Sequence, residues 1–228
     1  MKEKLLDCLR EISSRNERLA VVLRHSIRES IGHQRDHRNL YLTEEGKQMA
    51  LDFGRELPRG KLIRIFYSPV SRCRQTAECI KEGMSGDGCS AILVGEREFL
   101  NAPFVDFASA IDRMRHVGAS RFARMWLNDQ VDSEIIKDAH ETLQEMTTGV
   151  LSNLLEDQKH IDLHIAHDWN IILLRELLLG IRHEDAGWPD FLDGVILSYK
   201  KDEISAYYGN VTNTTSWRVP DERHNSPL

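Results

Sequence analysis

Residues 19–28 read Leu19-Ala20-Val21-Val22-Leu23-Arg24-His25-Ser26-Ile27-Arg28. Five consecutive apolar side chains stop abruptly at an arginine, a histidine and, shortly after, another arginine. So short an unbroken apolar run reads as a strand buried on both faces, as in a parallel sheet. A strand of that kind needs helices on either side of it, and the flanking sequence supplies them. Before it, Leu5, Leu6, Leu9 and Ile12 fall at helical spacing within Lys2 to Arg15. After it, residues 29–41 are polar, with Gly32, His33, His37 and Asn39, and read as a loop. Thr43 then caps a helix whose first turn holds Glu44 and Glu45, where the positive end of the helix favours them. That helix runs to about Leu57 and stops at Pro58 and Gly60.

The same alternation continues to the right. Leu62 to Tyr67 reads as a second strand, leading through Ser68-Pro69 into a helix from Ser71 to Glu82. A glycine-rich turn, 83–88, precedes a third strand at Ala91 to Val94. Residues 96–130 mix aromatics, charges and short helical patterns, without a clear strand. A longer amphipathic helix is predicted over 138–157, with Leu143, Met146, Val150 and Leu154 on one side. Ile161 to Ala166 alternates with period two and reads as a strand ending at His167-Asp168. The helix from Asn170 to Leu179 closes at Gly180. Residues 195–199 and 203–207 flank Lys200-Lys201-Asp202 as an antiparallel hairpin. The tail from Asn210 is polar and reads as extended or loose.

Strands alternating with helices give an α/β fold: a three-layer sandwich with a mostly parallel central sheet flanked by helices. The length, 228 residues, fits a single domain spanning 1–228 with a helical cap or insertion at about 96–160. In such sheets ligands bind beyond the carboxyl ends of the strands. Three predicted strands end in charged or histidine-bearing turns: Arg24-His25, Ser68 to Arg72, and His167-Asp168.

Composition narrows the function classes. The net charge is −6, so bulk charge gives no reason to expect a nucleic-acid partner, and any anion site must concentrate its positive charge locally. No apolar run approaches membrane-spanning length; the longest, around Ile171 to Leu179, is interrupted by Arg175 and Glu176. The N-terminus lacks the apolar core of a signal peptide, so a cytoplasmic location is expected. Cys8, Cys73, Cys79 and Cys89 form no CxxC pair and read as free thiols.

Each polar cluster has a plain structural reading by itself. His25 suits a hydrogen-bonded strand end, Arg24, Arg28 and Arg72 suit a surface, and Asp168 suits a helix cap. Together at one sheet edge they repel one another unless an anion sits among them. A phosphoryl group fits that set. Its oxygens accept charge-assisted bonds from guanidinium forks, an imidazole can carry it covalently, and a carboxyl group can protonate the leaving oxygen.

Leu23-Arg24-His25-Ser26 resembles the Arg-His-Gly signature of the histidine phosphatase superfamily, which includes phosphoglycerate mutases, acid phosphatases and phytases. Leu42-Thr43-Glu44-Glu45-Gly46 followed by Ala50 is similar to that family's LTxxGxxxA helix start. The stretch from Ser68 through Arg72 to Thr76-Ala77 is similar to its SxxxRxxxTA helix, and Ile165-Ala166-His167-Asp168 to its late strand. The resemblance implies a metal-independent, cofactor-free phosphatase acting on a phosphorylated small molecule through a phosphohistidine. His25 would be the nucleophile, with Arg24, Arg72 and His167 holding phosphate or sulfate. Arg28 and Asp168 resemble the RHxxR and HD features of the acid phosphatase branch, in which the aspartate is the general acid. The mutase branch uses a glutamate after the third strand, and Glu98 lies in that place. Asp168 is preferred because Arg28 and Asp168 are separate hallmarks of one branch. Ser26 departs from the usual glycine and would be strained if that position required a positive φ.

Three other readings compete. A mutase would continue the first motif with Trp-Asn, where this chain has Glu29-Ser30. A metalloenzyme could draw on His160, His164 and His167, but His164 and His167 point to opposite faces of a strand and no zinc spacing is present. The remaining histidines, His33, His37, His116, His140, His183 and His224, are of a kind more often found at surfaces. A non-catalytic phospho-ligand-binding protein is the third. Substrate access depends on the 96–160 region, whose Phe99, Phe104, Phe107, Phe122 and Trp126 either line a pocket or pack the cap itself.

Overall fold

A computed structural model describes residues 2–14, 18–30, 40–86, 90–154, 160–200 and 203–216. Most of the predicted 29–41 loop, with His33 and His37, lies outside the described residues, as do Cys89 and His224.

In chain order the elements are α1 (Lys2–Ser13), β1 (Arg18–Arg24), α2 (Glu44–Glu56), β2 (Leu62–Tyr67), α3 (Ser71–Gly83) and β3 (Ser90–Glu96). After a 3-10 turn at Glu98–Leu100 come α4 (Phe107–Val117), α5 (Ala119–Leu127), α6 (Ala139–Leu154), β4 (His160–Ala166) and α7 (Asp168–Leu179). The chain then forms α8 (His183–Ala186), β5 (Gly194–Lys200), β6 (Glu203–Tyr208) and β7 (Val211–Ser216). The seven strands make one sheet in the order β3-β2-β4-β1-β5-β6-β7. β1 to β4 run parallel, and β5 to β7 extend the sheet antiparallel. The fold is the expected α/β sandwich, with a mixed sheet whose core is parallel.

β1 explains the architecture. Its five central residues are fully buried and divide between two cores. Leu19, Val21 and Leu23 join the apolar faces of α1, α2 and α3, while Ala20 and Val22 join those of α6 and α7. Each fully buried Leu, Ile, Val or Phe contributes roughly 1.5–3 kcal/mol, so the two cores fix β1 and its carboxyl end firmly.

One expectation is sharpened. Of the segment from Asn210, read as extended or loose, residues 211–216 are an ordered strand, β7, paired with β6 from Tyr208↔Val211 to Glu203↔Ser216. β-branched Val211, Thr212, Thr214 and Thr215 suit an edge strand whose outer side faces water. The strand expected at 161–166 is β4, and all seven of its residues are buried. Its polar positions face α6, where the Arg64 fork bonds both oxygens of Asp162 at 2.7 and 2.8 Å and also reaches the Asn153 carbonyl.

The motif glycine Gly46 is explained by close approach. A Cβ there would lie 1.9 Å from the Ile27 carbonyl oxygen. The start of α2 is thereby pressed against the chain leaving β1, and Thr43 caps it by accepting from the Gly46 N–H.

Helices α4 and α5 lie over the carboxyl edge of the sheet. An ion-pair knot fastens α5 to the body: the Arg124 guanidinium bonds both Glu184 oxygens at 2.7 and 2.6 Å and also contacts Glu176. His183 joins the knot through Glu176 and the Ser120 carbonyl. Among the described residues, no helix is long and apolar enough to cross a membrane.

Candidate active site

The carboxyl ends of β1, β2 and β4 bring the sequence-predicted residues together. The His25 N–H donates to the Ala166 carbonyl and the Ser68 N–H to the Ile165 carbonyl, which ties the three strand ends to each other. Arg72 lies in the first turn of α3 and reaches back over them. Arg24, His25, Arg28, Arg72, His167 and Asp168 all line one cleft of about 360 Å³. Glu98 does not line it. That side chain is exposed, and its Oε2 accepts from the Asn101 amide at 2.7 Å.

His25 is 3% exposed. Its Nδ1 lies 2.7 Å from the Ser26 carbonyl oxygen, which can only accept, so Nδ1 carries the proton. Nε2 accepts from Arg72 Nε at 3.1 Å and therefore bears the lone pair. Burial, then Arg72, Arg24 and Arg28, push the imidazole pKa well below 6.5, against the Ser26 carbonyl, which raises it. The ring stays neutral and unprotonated at Nε2.

The second imidazole is set by similar means. Arg72 Nη2 lies 3.1 Å from His167 Nδ1, which accepts from it. His167 Nε2 then donates to Ser68 Oγ at 3.1 Å, and Ser68 passes its own proton to Asn101 Oδ1 at 2.6 Å. The rings of His25 and His167 meet edge-on with centroids 5.6 Å apart. Asn170 Oδ1 accepts the His167 backbone N–H, fixing the turn into α7.

Asp168 is the first residue of α7, where the helix dipole favours a carboxylate. Its Oδ2 lies 3.2 Å from Arg24 Nη2 and accepts from Trp188 Nε1 at 2.9 Å. Arg24 also donates to the Pro189 carbonyl and lies 4.1 Å over the Phe191 ring. Burial is the first cause that lowers the pKa of Arg24, Arg28 and Arg72. Three guanidinium groups thus crowd a region in which, among the described residues, Asp168 is the acidic side chain on the cleft wall.

Cys73 is a possible rival nucleophile by position, 3.8 Å from His167 Nε2. Burial pushes its thiol up to about 12, so the reactive thiolate is not available near neutral pH. His164 does not join His167. It is fully buried in the core beneath β4, stacked on Phe66 with centroids 4.8 Å apart. Among the described residues, one group has metal-ligand spacing, Glu176, His183 and Glu184. It belongs to the Arg124 knot, outside the cleft.

Ser26 carries no positive-φ strain: among the described residues, those with positive φ outside glycine are Asp129 and Leu192. Its hydroxyl gains a bond to the Gly46 carbonyl at 2.7 Å. Sequence reasoning missed Ser68 as a partner of His167, and it missed Asn101. It also missed the 187–193 loop, whose Trp188, Pro189 and Phe191 grip Asp168 and Arg24. No local pattern marks that loop. Its one unusual feature is Leu192, fully buried at φ 56°, whose N–H donates to the Arg24 carbonyl.

Comparison with known proteins agrees with this geometry. No curated protein matches the chain. Among solved structures, YhfR of Bacillus stearothermophilus is similar over 85% of this chain and 93% of its own, with 17% identity and a TM-score of 0.61. A mycobacterial glucosyl-3-phosphoglycerate phosphatase bound to inorganic phosphate is similar over 88% and 96%, at 16% identity and a TM-score of 0.57. Phosphoglycerate mutase from Bacillus anthracis is similar over 90% and 95%, at 12% identity and a TM-score of 0.53. At these identities the likeness is one of fold. The family model "Histidine phosphatase superfamily (branch 1)" matches residues 20–97, a span that includes Arg24, His25, Arg28 and Arg72 and ends just before Glu98. The motif-bearing segment is thus similar to the histidine phosphatase superfamily, and the chain as a whole shares the fold of these structures.

Proposed function

We propose that the chain is a phosphomonoesterase that hydrolyses a small phosphorylated molecule through a phosphohistidine on His25. The observation that carries this reading is the meeting, on one cleft wall, of an unprotonated imidazole nitrogen, three guanidinium groups and a carboxyl group.

In the first step His25 Nε2 attacks phosphorus and the ester P–O bond breaks. As the general acid, Asp168 gives a carboxyl proton to the departing oxygen. Arg24, Arg28 and Arg72 bond the nonbridging oxygens, whose charge they balance in a water-poor site. The Ser26 carbonyl, holding the Nδ1 proton, stabilises the positive charge that the ring acquires. In the second step water attacks phosphorus, Asp168 takes a proton from it, the P–N bond breaks, and inorganic phosphate leaves. His167 contributes a further polar contact to the phosphoryl group, oriented by Ser68.

Asp168 is assigned the acid's role rather than Glu98. It is on the cleft wall and is positioned by Trp188, whereas Glu98 is exposed and bonded to Asn101. The cap is taken as residues 97–137, with α6 counted in the body because it packs on β1, β4 and α7. The reaction needs no metal, since the arginines supply the compensating charge, and a cytoplasmic setting belongs to the same reading.

The test is direct. Brief exposure to a radiolabelled phosphate ester, followed by alkaline denaturation, should leave acid-labile label on the wild-type chain and none on His25→Ala. Turnover should persist in the presence of a chelator. Label that survives in His25→Ala, or activity abolished by chelation and restored by a divalent cation, would overturn the reading.

A further inference from the structure

The described wall of the cleft facing the arginines is hydrocarbon. Leu40, Val70, Phe104, Val105, Phe107 and Met114 line it, and they come from four separate parts of the chain. Val105 is 59% exposed, although it borders a site for a charged group. Among the described lining residues, polar hydrogen-bonding side chains beyond the catalytic floor reduce to Asn101 and the indole N–H groups of Trp169 and Trp188. Asn101 is already engaged by Ser68 and Glu98, and Trp188 by Asp168. No lysine, arginine or acidic side chain lies on the described wall outside the floor.

This arrangement discriminates among phosphate esters. A sugar or nucleoside brings hydroxyls and ring nitrogens that lose water on entry, and the apolar side chains of the described wall give them no partner, which is costly. A second phosphate would leave the floor's arginines and meet hydrocarbon. An alkyl or aryl group loses nothing and buries apolar area against Phe107 and Met114. The volume, about 360 Å³, is at the small end for ligand clefts, so the organic part must be compact.

We propose that the substrate class is a compact phosphomonoester of an uncharged, mainly hydrocarbon alcohol. The inference rests on the phosphatase reading of the floor, but it has a readout of its own. In a series of linear alkyl monophosphates, kcat/KM should rise about fourfold per added methylene until the cleft is full, the fold-change equivalent to about 0.8 kcal/mol per buried CH2. Phenyl phosphate should outrun glycerol phosphate and hexose phosphates. Val105→Asn and Met114→Gln should flatten the rise with chain length. A flat series, or preference for a hexose phosphate or bisphosphate, overturns the inference.

Alkylphosphonates, which have no ester bond to cleave, should show the same dependence in calorimetric Kd values. If no ester is turned over but the phosphonate series still tightens with length, the catalytic reading fails and the apolar subsite stands. If esters turn over but neither series depends on length, the subsite fails and the phosphatase stands.

Discussion

Arg72 is 6% exposed and bonds two imidazoles, whereas Val105, across the same cleft, is 59% exposed and offers only hydrocarbon. The floor and the roof of the site are built on different principles. Floor residues sit at the ends of strands packed in two cores, and backbone bonds between strand ends lock them in place. The roof is a pair of short helices held to the body by the Arg124 knot and by aromatic packing around Trp169. A floor must hold reacting atoms to a fraction of an ångström, while a roof need only exclude water and admit one shape of alcohol. In the proposed reading, chemistry falls to the strand-end region and selectivity to the peripheral one.

The largest expected effect comes from the floor. His25→Ala should lower kcat by about a thousandfold or more, as nucleophile deletions do. Steady-state hydrolysis of a nitrophenyl ester measures it, and appreciable turnover by the purified variant would break the division.

Asp168→Asn should cost about a hundredfold with alkyl esters, within the usual range of general-acid catalysis. It should cost much less with a nitrophenyl ester, whose leaving group needs little protonation. Glu98→Gln should leave this leaving-group dependence unchanged. If Glu98→Gln alters it and Asp168→Asn does not, the acid belongs to the cap side of the molecule and the contrast dissolves.

Trp188 sharpens the comparison, because it lies between the two regions. In the proposed mechanism it positions Asp168, so Trp188→Phe should lower kcat for alkyl esters by about tenfold, the order of one hydrogen bond. KM should change little, and a nitrophenyl ester should be nearly unaffected. A uniform loss with every leaving group would mean that Trp188 serves packing alone.

The last effect is on stability rather than rate and comes from beneath the floor. His164 is fully buried, and burial, with Arg64 and Arg97, brings its pKa to about 3. The unfolded chain binds a proton near pH 6.5 that the folded chain refuses. Stability is therefore full above 6.5 and falls as the pH drops toward 3. Between pH 6.5 and 5 the loss from this group is about 2 kcal/mol. Chemical denaturation of wild type and His164→Phe across that range should give a shallower acid slope for the variant. Equal slopes would place the acid sensitivity elsewhere. His25 is depressed in the same direction, so the acid limb of activity due to its protonation should lie well below pH 6.5.

The floor was legible because its signals are local. An apolar run ending in Arg24-His25, the Thr43 cap with Gly46, and Arg72 one turn into a helix are each fixed by a strand or helix of a few residues. The sequence also brought out His167 and Asp168 as the end of β4, though it could not order the strands. It left Asp168 and Glu98 as competing acids because both follow strands at suitable positions. Only the folded chain separates them, with Asp168 in the cleft and Glu98 exposed.

By itself, then, the sequence determined the alternation of strands and helices, the parallel core, and the six side chains that line the floor, since these follow from periodicity and from residues adjacent in the chain. Tertiary structure alone decided the tautomers of His25 and His167, the grip of Trp188 and Phe191 on Asp168 and Arg24, the extra strand at 211–216, and the hydrocarbon roof. Each of these depends on contacts between segments distant in sequence. Such contacts are chosen by packing, which leaves no periodic trace in either partner.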